Sequence, residues 1–149
     1  MSNFLYLVTF IGGMVSLALE LAAGRLLAPA FGTSELVWSA IIGMILLYFA
    51  IGYVVGGRWA DRSPQPKTLY TILLAASVTI ALIPLISRPA LTLAARGMAA
   101  LNAFQVGGPL LAVLILFIAP VTLLACVSPF VIRLAMTDLG AAGMTSGKI

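Results

Sequence analysis

The sequence contains no histidine and a single cysteine in 149 residues. Without histidine there is no imidazole metal ligand, no histidine-based triad and no histidine proton relay. Cys126, alone in an apolar run, excludes an internal disulfide framework. Charge is the other shortage. Asp and Glu number four and Lys and Arg eight, so charged residues make up 8% of the chain, against about a quarter in an ordinary soluble domain. So few charges cannot cover a water-facing surface of this size. That excludes a soluble globular enzyme, a disordered segment and a fibrous repeat. What is abundant is apolar: 62% of residues, with a mean hydropathy of +1.19. The expected solvent is the bilayer, and the length allows one domain, residues 1–149.

The net charge of +4 does not signal nucleic acid, because no run of Lys or Arg exists. The basic residues stand singly at the ends of apolar stretches, as membrane topology and anionic lipid favour. Ala28-Pro29-Ala30 resembles a cleavage site for a secretory leader. No basic residue precedes the apolar stretch, however, and Glu20 and Arg25 interrupt its end.

Hydropathy and breakers predict an all-α, polytopic bundle of four spanning helices and one interfacial helix. The first span covers residues 4–27, with Pro29 and Gly32 breaking it. Thr33 or Ser34 can cap the second, and Glu35 suits its first turn. That second span covers 36–57, with Trp38 and Trp59 near its ends as interfacial anchors. A polar hairpin from Arg58 to Lys67 leads to a third span over 69–86. Arg88, Thr92 and Arg96 repeat every four residues, opposite a face of Leu91, Ala95, Met98 and Leu101. This pattern predicts a short amphipathic helix over 89–104 lying in the membrane interface. Gly107, Gly108 and Pro109 open a fourth span over 109–127, which Pro120 and Pro129 are expected to kink or end. The stretch from Phe130 to Leu139, which carries Arg133 and Asp138, is expected to emerge into water.

With the hairpin in the cytoplasm, Arg58, Arg62, Lys67, Arg133 and Lys148 lie inside, and Arg25, Arg88 and Arg96 lie outside. The positive-inside rule then places both termini in the cytoplasm.

Glu20 is the most informative residue. It lies sixteen positions past Phe4, hence about 24 Å along the helix, near the outer edge of the hydrocarbon. An ionisable residue at such depth is costly and calls for a paired partner. Arg25 is the nearest candidate, although a spacing of five places the two about 140° apart around the helix. Arg25 can instead snorkel to the headgroups or reach Glu35. Glu20 is thus either one half of a structural ion pair or a transport or substrate group.

Gly12, Ser16, Glu20 and Gly24 recur every four residues, which places them on one stripe of the first helix. Tyr48, Gly52 and Gly56 form a similar stripe on the second, with Ser39 and Gly43 an earlier pair. Small residues let backbones approach, so the two stripes are expected to pack together. The tail from Gly143 to Lys148 fails as a phosphate loop: Gly143 is one position too close to Gly147-Lys148, Ile149 replaces the magnesium-binding hydroxyl, and no strand precedes it. No paired carboxylates, Cys/His cluster, serine nucleophile elbow or dinucleotide glycine fingerprint occurs. No catalytic residue, metal or cofactor is therefore expected.

Gly57-Arg58-Trp59-Ala60-Asp61-Arg62, followed by Lys67, resembles the loop between helices two and three of the major facilitator superfamily. In that family the Gly permits close packing, and the Asp and Arg cap helix ends and form a charge latch. Here Ser63-Pro64-Gln65-Pro66 replaces the usual Gly and basic pair. A longer pattern resembles the membrane domain of fused facilitator-like/spermidine synthase proteins. It comprises Glu20, Arg25-Leu26-Leu27-Ala28-Pro29, Phe31-Gly32, Ser34, Trp38, Gly52-Tyr53, Gly56-Gly57, Asp61-Arg62 and Pro64. Ser128-Pro129, Arg133-Leu134 and the ending Ser146-Gly147-Lys148-Ile149 extend it.

The resemblance implies a facilitator-like half-domain in a bacterial inner membrane, often followed by a soluble aminopropyltransferase domain. The glycine-rich loop and amine-gripping acids of that enzyme are missing here, so the chain by itself is expected to be non-catalytic. Glu20, Arg25, Asp61 and Arg62 map onto the membrane-domain motifs. Another helix follows the ending in that family, so a fragment, or a form relying on a partner, is expected. Three functions stay open: the membrane domain of a spermidine-synthase-like protein, part of a cation or polyamine transporter using Glu20, or a passive anchor. The expected partners are the bilayer and either further copies of the chain or an attached or adjacent soluble enzyme.

Overall fold

The computed structural model describes residues 2–101 and 104–136, and all regular structure in them is helical. The helices are α1 (Ser2–Phe31), α2 (Glu35–Arg62), α3 (Pro66–Ala100) and α4 (Phe104–Ala135). All four are long and apolar enough to cross a membrane. At about 1.5 Å per residue the shortest, 28 residues, is about 42 Å long, beyond the roughly 30 Å of a hydrocarbon core.

Prolines end fewer helices than the sequence suggests. Pro29 lies inside α1, and the helix stops only after Phe31. Gly32 stops it: its φ of 80° is left-handed, and its N–H donates to the Ala28 carbonyl at 2.9 Å. Ser34 takes the N-cap position of α2, but its hydroxyl makes no capping bond. The hairpin Ser63–Gln65 is closed by Ser63 N–H donating to the Trp59 carbonyl, and Pro66 starts α3 at a position that needs no N–H.

The expected separation of a third span from an interfacial helix over 89–104 does not occur. α3 passes through Pro84 and Pro89 and continues to Ala100. Ala90 and Ala94 are buried in the main core, so the stretch carrying Arg88 and Arg96 packs as part of α3. α4 likewise passes through Pro109, Pro120 and Pro129. Phe130 and Val131, expected to emerge into water, are fully buried. Burial decides these cases: each continuing helix packs small or apolar side chains against its neighbours. The phosphate-loop-like tail, Asp138 and Lys148 lie outside the described residues.

The four helices run up and down. One apolar cluster joins Leu5 and Val8 of α1 to Ala60 of α2, Leu69 and Ile72 of α3, and Phe130 and Val131 of α4. The start of α1, the α2–α3 hairpin and the finish of α4 therefore share one end of the bundle. The Phe4 and Tyr70 rings meet there, with centroids 5.7 Å apart. The Phe31 ring lies against Gly108, where any Cβ would collide with it, and pins the opposite end.

α4 is the hub and touches each of the other three helices, whereas α2 and α3 flank it. Burial follows this order. In the most apolar window of α4, 56% of residues are buried, against 17% in α1. In a bilayer, whose lipid tails are as apolar as leucine, close packing rather than water exclusion would hold such helices together. Hydroxyls are hidden locally: Thr9, Ser16, Ser39, Thr71, Ser77 and Thr92 each donate to the carbonyl four residues back.

Candidate functional site: a groove beside Glu20

α1, α2 and α4 enclose a groove of about 340 Å³. α1 supplies its polar wall in Thr9, Gly12, Ser16 and Glu20, residues spaced three or four apart along one helix face. α2 contributes Phe49 and Tyr53, whose ring centroids lie 6.0 Å apart at an interplanar angle of 31°. α4 contributes an apolar floor at Leu124 and Ala125 and a hydroxyl at Ser128. From Thr9 to Glu20 is eleven residues, so the groove runs about 16 Å along the bundle axis. Glu20, half-buried, marks its end farther from the hairpin.

Glu20 has no ion pair among the described residues. Arg25 is exposed and pairs with neither Glu20 nor Glu35. The 140° offset expected from their spacing prevails: Glu20 turns into the groove, and Arg25 does not line it. Glu20 is also the sole charged residue among the described residues that line the groove.

The two small-residue stripes do not pack against each other as expected. The α2 stripe meets α4. A Cβ on Gly52 would collide with the Ala125 methyl and stand 2.6 Å from the Thr122 carbonyl oxygen; one on Gly56 would stand 2.6 Å from the Cys126 Cα. The Cys126 thiol donates to the Gly52 carbonyl at 3.3 Å across this seam. On α1, only Gly24 serves close packing, lying under the Trp38 indole with 2.6 Å between a built Cβ and the ring edge. Gly12 has nothing within 4 Å of a built Cβ: it faces the groove, not a helix. Gly43 and Gly57 are equally open, so Gly57 does not supply the close packing its motif implies. α4 takes the central place because it is the most continuously apolar of the four helices, and the α2 glycines seat it.

Beside the hairpin, Asp61 at the end of α2 forms an ion pair with Arg133 of α4, Oδ1 to Nε 3.4 Å. The pair ties the ends of α2 and α4 together on the exposed rim. Arg62 is exposed and joins no ion pair among the described residues. Two buried hydroxyls, those of Tyr48 and Thr122, have no hydrogen-bond partner, a pattern that sequence spacing does not reveal. Phe49 and Tyr53 also escaped the sequence reading as groove residues, because aromatic side chains on an apolar helix look like lipid anchors. No group of three or more His, Cys, Asp or Glu is placed to hold a metal among the described residues.

The chain matches no known protein family, no curated protein and no solved structure.

Proposed function

We propose that this chain is the non-catalytic membrane domain of a spermidine-synthase-like protein, crossing a bacterial inner membrane four times as a facilitator-like half-domain. The observation that carries the reading is the Asp61–Arg133 pair. It joins the hairpin with the facilitator-like pattern to the end of α4, the kind of charge latch that the motif implies. The up-and-down order also brings the basic hairpin residues Arg58, Arg62 and Lys67 to the same end as Arg133, which supports a cytoplasmic hairpin.

The decisive experiment is to read the coding sequence on both sides of this segment. An aminopropyltransferase-like domain in the same frame or the adjacent gene is the expected result, and its absence removes the reading. Topology is checked separately by single cysteines placed in a Cys126→Ala background. Thr33→Cys should react with a membrane-impermeant maleimide in intact cells, and Ser63→Cys only after permeabilisation.

A second reading, that the chain forms part of a facilitator for a cation, is favoured by the groove. A lone, unpaired carboxylate at membrane depth is the expected signature of a cation site. Uptake by proteoliposomes, compared with Glu20→Gln, tests it; equal rates would remove it.

A further inference from the structure

We propose that the groove takes one singly charged organic cation, a primary alkylammonium with a slender aliphatic body, and rejects diammonium compounds. This rests on the second reading above and goes further by fixing the charge and shape of the ligand.

Charge counting comes first. Among the described residues, Glu20 is the only formal charge in the lining. Of the other carboxylates among the described residues, Asp61 is held by Arg133 at the hairpin rim, and Glu35 starts α2 at the opposite end. One carboxylate neutralises one ammonium. A second ammonium in the same groove would be desolvated without a counter-charge, which is costly in a low-dielectric site.

Donor chemistry comes second. A hard divalent cation requires six or more oxygen ligands in most protein sites. The groove offers one carboxylate and a few hydroxyls spread along about 16 Å of three helices, too few hard oxygens gathered at one point for such a shell. An ammonium needs fewer acceptors and is also attracted to aromatic faces. Phe49 and Tyr53 present two rings on the wall contributed by α2.

Shape comes third. The acid stands at one end of a cleft about 16 Å long, and the rest of the wall includes Leu17, Leu124 and the bare backbone at Gly12. An ammonium docked on Glu20 would lay its alkyl chain over Leu17, Leu124 and Ala125, with Gly12 offering no side chain to block the cleft.

The test uses the full chain in nanodiscs of zwitterionic lipid, with empty nanodiscs subtracting partition into the bilayer. Hexylammonium, 1,6-hexanediammonium and hexanol are titrated by calorimetry. The expected result is saturable binding of one hexylammonium per chain, with the diammonium and the alcohol each weaker by about tenfold or more, the change that 1.4 kcal/mol produces. Glu20→Gln should abolish the preference of hexylammonium over hexanol. Equal or tighter binding of the diammonium overturns the charge argument while leaving a cation site in place. No saturable binding of either amine overturns both this inference and the second reading. If Glu20→Gln does not fold, the three-ligand comparison on the unaltered protein still decides.

Discussion

The seam between α2 and α4 and the open flank of α1 are built from the same residue types at the same spacing, yet they differ in every structural respect. At the seam, Gly52 and Gly56 let α4 approach until no methyl group would fit, and the Cys126 thiol bonds a backbone carbonyl across the gap. On the flank, Gly12 and Ser16 face empty space and leave a groove with an acid at its end. In lipid, a small residue lowers the energy only if another backbone occupies the room it vacates. Where none does, the same residue makes a cavity. A period-four stripe of small residues therefore marks either contact or opening, and the neighbour decides which.

Substitutions can break this contrast, and unfolding in detergent by SDS titration measures most of them. The largest effect is expected from Gly52→Leu, which forces α2 off α4 at the Ala125 and Thr122 contacts. A loss of about 3 kcal/mol or more should follow, at the upper end of overpacking costs. If Gly52→Leu leaves stability unchanged, the seam is not close-packed. Gly24→Val meets the Trp38 ring, which can shift more easily than backbone. A smaller loss, about 1–3 kcal/mol, is expected, with Trp38 fluorescence reporting the displacement.

Tyr48→Phe deletes a buried hydroxyl without a partner. Stability should stay level or rise by about 1 kcal/mol; a clear loss would reveal a partner for that hydroxyl. Gly12→Ala sharpens the other side of the comparison. With nothing near the added methyl, it should gain about 0.5–1 kcal/mol from reduced backbone freedom. A loss would show that the flank is closed rather than open. Asp61→Asn should cost little, under about 1 kcal/mol, because exposed ion pairs contribute little.

Much of the fold is legible in the sequence because desolvation leaves few choices. Backbone groups in hydrocarbon must be bonded within the segment, so long apolar runs become helices. Gly32 reads correctly as a stop because only its left-handed φ turns the chain there. Pro29, Pro120 and Pro129 do not end their helices because a proline removes one hydrogen bond, while tertiary packing on both sides holds the rest of the helix. The amphipathic pattern after Arg88 misleads in another way. Its small face, Ala90 and Ala94, buries against other helices rather than at a lipid surface, and period alone does not distinguish the two.

Glu20 stands out in the sequence because an acid in an apolar helix is conspicuous wherever it points, and its offset from Arg25 follows from helix geometry alone. That Phe49, Tyr53 and Ser128 share its groove does not follow, since residues on three helices meet only once the crossings are set. Composition determined that this chain forms long apolar helices, with its acid deep in the first. Only the tertiary structure decided that α4 sits at the centre, that α2 rather than α1 packs glycine to backbone against it, and that Glu20 faces a groove instead of an arginine. The reason is physical: transfer energies act residue by residue along the chain, whereas close packing is a property of pairs of surfaces, and many pairings of four apolar helices differ little until side chains interlock.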